Sequence, residues 1–276
     1  MLMSHTGGLT YGVFGNTPVD EQYRKAGVLR EKNLAEMVTH LGKIPLQYQP
    51  GTQWHYSVSV DVLGRLIEVL SGQPLDEYLE QHIFAPLGMT DTFFQVPEDK
   101  ISRFGTNHRY NPGTKQLEVI DRPETSQYTK EVTFFSGGGG LLSTAEDYMK
   151  FCQMMLNGGE FNGARIIGSK TISYMTQNHL RGIFANRGGE GATYGLLGSQ
   201  GFGLGFGIGI DPVKNGVIGS KGEYYWGGAA GTWFWVDPTN DIIFVGMIQR
   251  MGGSGGDDLG TMARTLTYQS LVDPSK

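Results

Sequence analysis

Apolar positions along the first two-thirds of the chain fall at helical spacing, and those of the last third fall at strand spacing. Leu34, Met37, Val38 and Leu41 predict a helix over about 31–41. Val62, Leu63, Leu66, Ile67 and Leu70 form one broad stripe, a helix over about 60–70 that Ser71-Gly72 brings to an end. A third helix over about 75–83 stops at Pro86-Leu87-Gly88-Met89. Ser143 with Glu146, or Thr144 with Asp147, has capping-box spacing, opening a helix to about Leu156 that carries Tyr148, Phe151, Cys152 and Met155. A short helix follows at 169–177. After Tyr194 the period changes to two. Phe202, Leu204, Phe206, Ile208 and Ile210 alternate with glycine and predict one strand. Further strands fall at about 222–227, 231–236 and 242–249, with turns at Asp211-Pro212 and Asp237-Pro238-Thr239-Asn240. A last helix spans about 257–271. The first thirty residues read as a surface loop anchored by Tyr11 and Phe14, and residues 97–135 as a polar, partly stranded excursion.

This order predicts an α+β fold in a single domain over 1–276. A mainly helical and loop region (1–193) packs on an antiparallel sheet closed by a terminal helix (194–276). Short connections make the last three strands a meander, and the junction of the two parts is the natural cleft. The 43 glycines among 276 residues are about twice average usage. They cluster at 137–140, 188–209, 227–231 and 252–256, where backbone must turn sharply or approach closely.

Charge narrows the classes of partner. Lys and Arg total 22 against 27 Asp and Glu, a net charge of -5. With no basic face, nucleic acid is not an expected partner. No apolar run reaches the ~18 residues of a membrane span. The single cysteine, Cys152, cannot form an internal disulfide and reads as a buried, inert thiol. Gly201-Phe202-Gly203-Leu204-Gly205 lacks the spacing of a nucleotide loop, and no Gly-Lys-Ser/Thr follows any glycine cluster. The histidines at 5, 40, 55, 82, 108 and 179 show no zinc-ligand spacing, and no G-x-S-x-G occurs. Neither a metal nor an organic cofactor is implied.

A more specific pattern is Pro50-Gly51-Thr52-x-Trp54-x-Tyr56-Ser57 followed by Asp61-Val62-Leu63-Gly64. Leu2-Met3-Ser4-His5-Thr6-Gly7-Gly8-Leu9, Phe84-Ala85-Pro86-Leu87-Gly88-Met89 and Gly140-Leu141-Leu142-Ser143-Thr144-Ala145-x-Asp147 accompany it, as does Trp226-Gly227-Gly228-Ala229-Ala230-Gly231 ahead of Phe234-x-Val236-Asp237-Pro238. In these five ordered landmarks the chain resembles the serine beta-lactamase-like family of class C beta-lactamases, DD-peptidases and related esterases, with the Trp-Gly-Gly form nearest the esterase branch. The resemblance implies a small-molecule ester or lactam as substrate. It makes Tyr56 the tyrosine of a Tyr-x-Asn element that assists the base and hands a proton to the leaving group. Since a free phenol titrates near 10, that role needs a cationic neighbour, normally the family lysine. Val58 stands where many penicillin-recognising members have asparagine, which removes an amide partner for an acylamide side chain. Trp226-Gly227-Gly228 replaces Lys-Thr-Gly on the strand beside the site, and Ala229 would give one backbone N–H to an oxyanion hole.

The family's nucleophile lies in Ser-x-x-Lys, and no lysine of these 276 residues has serine or threonine three places before it. Ser4, Ser57, Ser143 and Ser220 belong to other landmarks, and Ser57 beside Tyr56 is the one replacement worth testing. The expectation that follows is a family member cut off before the nucleophile helix. Its first strands would be missing, leaving a hole in the helical region and a bare strand edge that favours self-association. Its function would be ester hydrolysis through an acyl-serine, with weak lactam hydrolysis and the nucleophile outside the chain. The alternatives are an inactive binding module or an acyltransferase. A genuine start at Met1 reads as cytoplasmic, and a truncated one leaves the periplasm or secretion open.

Overall fold

The computed structural model describes residues 1–180, 200–252 and 258–272. The expected boundary at 193/194 therefore lies outside the described residues. The opening stretch is not all loop. Pro18–Ala26 forms helix α1, with Pro18 at its first position and a reciprocal capping box between Thr17 and Asp20. α2 (Leu34–Leu41) is capped by Asn33, whose side chain accepts from the Glu36 N–H. α3 (Ser59–Ser71) ends at Gly72 in the left-handed conformation. The third predicted helix is broken in three. α4 (Leu75–Leu79) runs into a π-helical turn over Glu80–Phe84 and then α5 (Ala85–Leu87). Pro86 has no N–H to offer the His82 carbonyl, so the regular ladder cannot pass that point.

The excursion forms a hairpin of β1 (Asn107–Asn111) and β2 (Gln116–Asp121). Thr144 is the residue that caps α6 (Ala145–Leu156), accepting from the Asp147 N–H, while Ser143 bonds Thr92 instead. The short pair β3 (Glu160–Phe161) and β4 (Ala164–Arg165) leads to α7 (Ser169–Met175). The glycine-alternating segment is a hairpin rather than one strand. β5 (Gln200–Phe202) and β6 (Gly207–Gly209) pair antiparallel through a turn in which Gly205 takes a φ of +97° and the Gly203 N–H donates to the Phe206 carbonyl. After a short helix α8 (Pro212–Asn215) come β7 (Tyr224–Gly227), β8 (Thr232–Asp237) and β9 (Ile242–Met247). These last three strands are a meander, and the sheet order is β5-β6-β7-β8-β9. β10 (Arg250–Met251) leaves the sheet to run parallel with β1. α9 (Leu259–Gln269) closes the described chain.

Two cores result. Cys152, Met154 and Met155 of α6 meet Phe206, Phe234 and Val236 on one face of the sheet. Burial pushes the Cys152 thiol up to about 12, which makes it an unreactive packing residue. The helical part closes on Leu9, Leu34, Met37, Val58, Leu75 and Phe94. That continuous cluster corrects the expectation of a helical region left hollow by a missing helix, because α1, the 3-10 turn Val28–Arg30 and residues 94 and 134–135 pack into it. On the far face of the sheet α9 is fastened by charge. Arg264 pairs with buried Glu223 at 2.5 Å and lies 4.5 Å over the Trp235 ring, while Tyr268 donates to Asp237 at 2.5 Å. No helix among the described residues is long and apolar enough to cross a membrane.

Candidate functional site

Trp54 and Tyr56 sit on the extended segment that enters α3, and their rings stack 6.4 Å apart. This segment is held from behind by Leu2-Met3-Ser4-His5-Thr6. His5 lies at a φ of +51° in a short 3-10 cap, and its carbonyl accepts the His55 N–H. Its Nδ1 accepts the Ser57 N–H at 3.3 Å, which places the ring proton on Nε2. Burial first, and then the charge on His55, lower the His5 imidazole to about 3, so it is a neutral packing ring near pH 7. It meets Tyr56 edge-on at 4.8 Å.

The sheet supplies the opposite wall. Trp226, at the end of β7, lies 5.4 Å from Tyr56, and Phe202 of β5 lies 5.2 Å from Trp226 and 5.5 Å from Trp54. Tyr56 and Trp226, separated by most of the chain, are thus brought together at the junction of the helical part and the sheet. Gly227 and Gly228 continue from Trp226 into an exposed hairpin turn. The Gly228 N–H donates to the Thr232 carbonyl at 2.7 Å, and a Cβ on Gly228 would stand 2.3 Å from Thr232 Oγ1. Ala229 is exposed at the tip of this turn, and its carbonyl accepts from the Gly252 N–H at 3.1 Å.

Val58 lies elsewhere. It is fully buried at the start of α3 and packs into the helical core, because the chain turns there from the extended segment into the helix. Ser57 is 1% exposed, and its Oγ is shared with Ser59 Oγ at 2.7 Å and His5 Nδ1 at 3.4 Å, inside the protein rather than in the cleft.

Sequence reasoning gave no role to the groups behind Tyr56. The Tyr11 and Tyr56 side chains share a hydrogen bond, with ring centroids 5.0 Å apart. Burial, then the nearby Tyr56 and Asp61, raise the Tyr11 phenol far above its ordinary value. Asp61, in the first turn of α3, is fully buried. Its Oδ1 accepts from Ser136 Oγ and from the Gly138 N–H, while Oδ2 has no hydrogen-bond partner among the described residues. Burial raises its carboxyl above the usual range against the pull of those two donors. The signal for this group was the pair Gly137-Gly138, which lets a loop press against α3. A Cβ at 137 would stand 2.6 Å from the Val60 carbonyl. No group of three or more His, Cys, Asp or Glu suited to a metal occurs among the described residues.

Comparison with known proteins agrees with this arrangement. The sequence model of the family described as Beta-lactamase matches residues 1–269. An uncharacterized protein of Mycobacterium tuberculosis (strain CDC 1551 / Oshkosh) is 31% identical over 251 residues, 90% of this chain and 61% of that protein. The lovastatin esterase of Penicillium rubens is 28% identical over 281 residues, 97% of this chain and 68% of the esterase. Among solved structures, "EstCE1, a hydrolase with promiscuous acyltransferase activity" superposes with a TM-score of 0.78 at 24% identity, covering 97% of this chain and 70% of that one. The chain thus spans 61% of the length of its M. tuberculosis relative.

These findings correct two expectations. The reading of a family member without its first strands and nucleophile helix is overturned by the family match. That match starts at residue 1 and runs to 269, with helices and strands formed along it. The reading of an esterase whose nucleophile lies outside the chain falls with it. What is found is a serine-hydrolase/acyltransferase-like fold matched over nearly all of its residues.

Proposed function

The chain belongs to the beta-lactamase family, and from that premise we propose that its cleft transfers an acyl group from a small activated carboxylic ester to an alcohol acceptor. The observation that carries this reading is the placement of Tyr56, a proton-transfer side chain, against Trp226 of the facing strand at 5.4 Å. Tyr56 exchanges a proton with the acceptor hydroxyl or the leaving oxygen. The Ala229 N–H, on the tip of the β7–β8 turn, donates to the oxyanion that develops as the acyl carbon becomes tetrahedral. Trp226, Gly227 and Gly228 offer an aromatic face and bare backbone to the acyl portion. They lack the lysine cation and threonine hydroxyl that favour a carboxylate-bearing lactam. Val58 contributes from beneath, packing the start of α3 that sets the direction of Tyr56, and it brings no amide to the cleft. The lovastatin esterase among the relatives makes carboxylic esters the class to try first.

The test is turnover of p-nitrophenyl butyrate with and without an added alcohol, with the new ester detected by mass. Transfer is expected to exceed hydrolysis in the presence of acceptor, and Tyr56→Phe should lower the rate about 10²- to 10⁴-fold. Unchanged turnover in Tyr56→Phe would remove Tyr56 from the mechanism. Tight binding of esters with no turnover by the wild type would replace acyl transfer with ligand binding.

A further inference from the structure

A tyrosine that moves protons near neutral pH needs either a cation to hold its phenolate or a base to take its proton, because an unperturbed phenol titrates near 10. The cation the family normally supplies, the lysine of Ser-x-x-Lys, has no counterpart among these 276 residues. The structure places something different behind Tyr56. Its side chain is hydrogen-bonded to that of Tyr11. The Tyr11 hydroxyl and the unpartnered Oδ2 of Asp61 converge on one point, standing 2.7 and 2.8 Å from where a Cβ on Gly138 would be. Ser136 and the Gly138 N–H both grip Oδ1, which fixes the plane of the carboxylate and leaves the other oxygen on the Tyr11 side. Gly138, with no side chain, keeps the space between phenol and carboxylate open, wide enough for direct contact or one bridging water.

We propose that Tyr11 and Asp61 form a proton relay for Tyr56, with the buried Asp61 carboxylate as the base at its end. The functional consequence rests on the acyl-transfer reading. As the acceptor alcohol attacks the acyl carbon, its proton passes to the Tyr56 oxygen. The Tyr56 proton passes to the Tyr11 oxygen, and the Tyr11 proton passes to Asp61 Oδ2. Three O–H bonds break and three form, the alcohol oxygen becomes the new ester oxygen, and Asp61 ends as the neutral acid. Collapse of the tetrahedral intermediate runs the relay backwards and protonates the leaving oxygen, so no outside proton donor or acceptor is consumed. Burial suits Asp61 to this task, since it raises the carboxyl towards the range where proton uptake near neutrality becomes favourable. Tyr11 and Asp61 touch no substrate in this scheme. They are positioning residues that act through Tyr56.

The other titratable groups around the chain are His5 against the Tyr56 ring, at 4.8 Å, and His55 behind His5. No lysine or arginine is among the described hydrogen-bond partners of Tyr11 or Asp61. The test places 3-fluorotyrosine at position 56 and follows its fluorine resonance with pH. In the otherwise unaltered chain the resonance should show an inflection above the ordinary carboxylate range, the Asp61 titration transmitted through Tyr11. An inflection from His5 would fall lower, near 3. Tyr11→Phe, which keeps the ring and its packing, should abolish the Asp61 inflection, and so should Asp61→Asn. Absence of the inflection in the parent chain, or its survival in a folded Tyr11→Phe protein, would overturn the relay. If Asp61→Asn does not fold, Tyr11→Phe alone decides. Where acyl transfer is found, Tyr11→Phe should lower kcat at least tenfold with little change in KM. The relay and the acyl-transfer reading can fail separately. A transmitted inflection without ester turnover leaves the relay standing and sinks acyl transfer. Ester turnover with no coupling between residues 56 and 61 does the reverse.

Discussion

At Gly138 the loop passes between two polar groups with no space for a side chain. A Cβ there would meet Tyr11 Oη at 2.7 Å and Asp61 Oδ2 at 2.8 Å, both closer than real Cβ contacts allow. At Gly139, one residue on, nothing lies within 4 Å of the same added atom. The pair isolates what the close approach demands, because both substitutions remove the same backbone freedom from the unfolded chain. Gly138→Ala should destabilise the protein by about 1–3 kcal/mol through forced displacement of Tyr11 or Asp61. Gly139→Ala should stay within about 0.5 kcal/mol of the parent. Urea unfolding of the two variants checks this, and equal effects would mean that Tyr11 and Asp61 are not pressed against the loop.

Among the elements, α9 depends most on a few polar contacts, since Met262 and Leu266 on it stay exposed. It is held to the sheet by Arg264 and Tyr268, which meet Glu223 at the start of β7 and Asp237 at the end of β8. Burial raises the Glu223 carboxyl even with Arg264 beside it, so the arginine offsets a real desolvation cost. Arg264→Ala would leave that carboxyl buried without its partner and should cost about 3–5 kcal/mol. Arg264→Ala combined with Glu223→Gln should recover part of the loss, and the measurement is urea unfolding of the single and double variants. A double variant no better than the single would place the loss in the stacking of Arg264 on Trp235.

This clasp was not legible in the sequence, because its members are 14 to 45 residues apart and no local pattern links them. The helices α2, α3, α6 and α7 were legible from their apolar periods, and the meander from its turns. α1 escaped because PVDEQYRKA presents only Val19 and Tyr23 as a buried stripe, although Thr17-Pro18 with Asp20 spelled its cap. The period-two run at 202–210 concealed a hairpin, since glycine at 205 permits a turn that alternation alone does not announce. At the site, the motifs located Tyr56 and Trp226 correctly as neighbours. They gave no direction for Val58, whose side chain turns into the core, and no hint that Tyr11 and Asp61 would meet across Gly138.

For the whole molecule, the question is what makes a helical part and a sheet with separate cores behave as one. α6 belongs with the sheet, packing on β8 and β9. α1 to α4 close on their own cluster of Leu34, Met37 and Leu75. The described contact that bridges the two at the cleft is the aromatic seam of His5, Trp54 and Tyr56 against Phe202 and Trp226. Phe202 is its centre. It is 1% exposed and touches His5, Trp54 and Trp226 at 5.4, 5.5 and 5.2 Å. Phe202→Ala should cost about 3–5 kcal/mol as a buried cavity. Its more telling effect should be on cooperativity. The parent chain is expected to unfold in one transition by far-ultraviolet circular dichroism, which weights the helices, and by tryptophan fluorescence, which reads the seam and β8. With the seam emptied, the fluorescence change should come at lower urea than the helical signal. Coincident transitions in Phe202→Ala would mean instead that the two parts are welded elsewhere. The cleft would then be a groove on a single rigid body, and Tyr56 and Trp226 would keep their spacing without Phe202 between them.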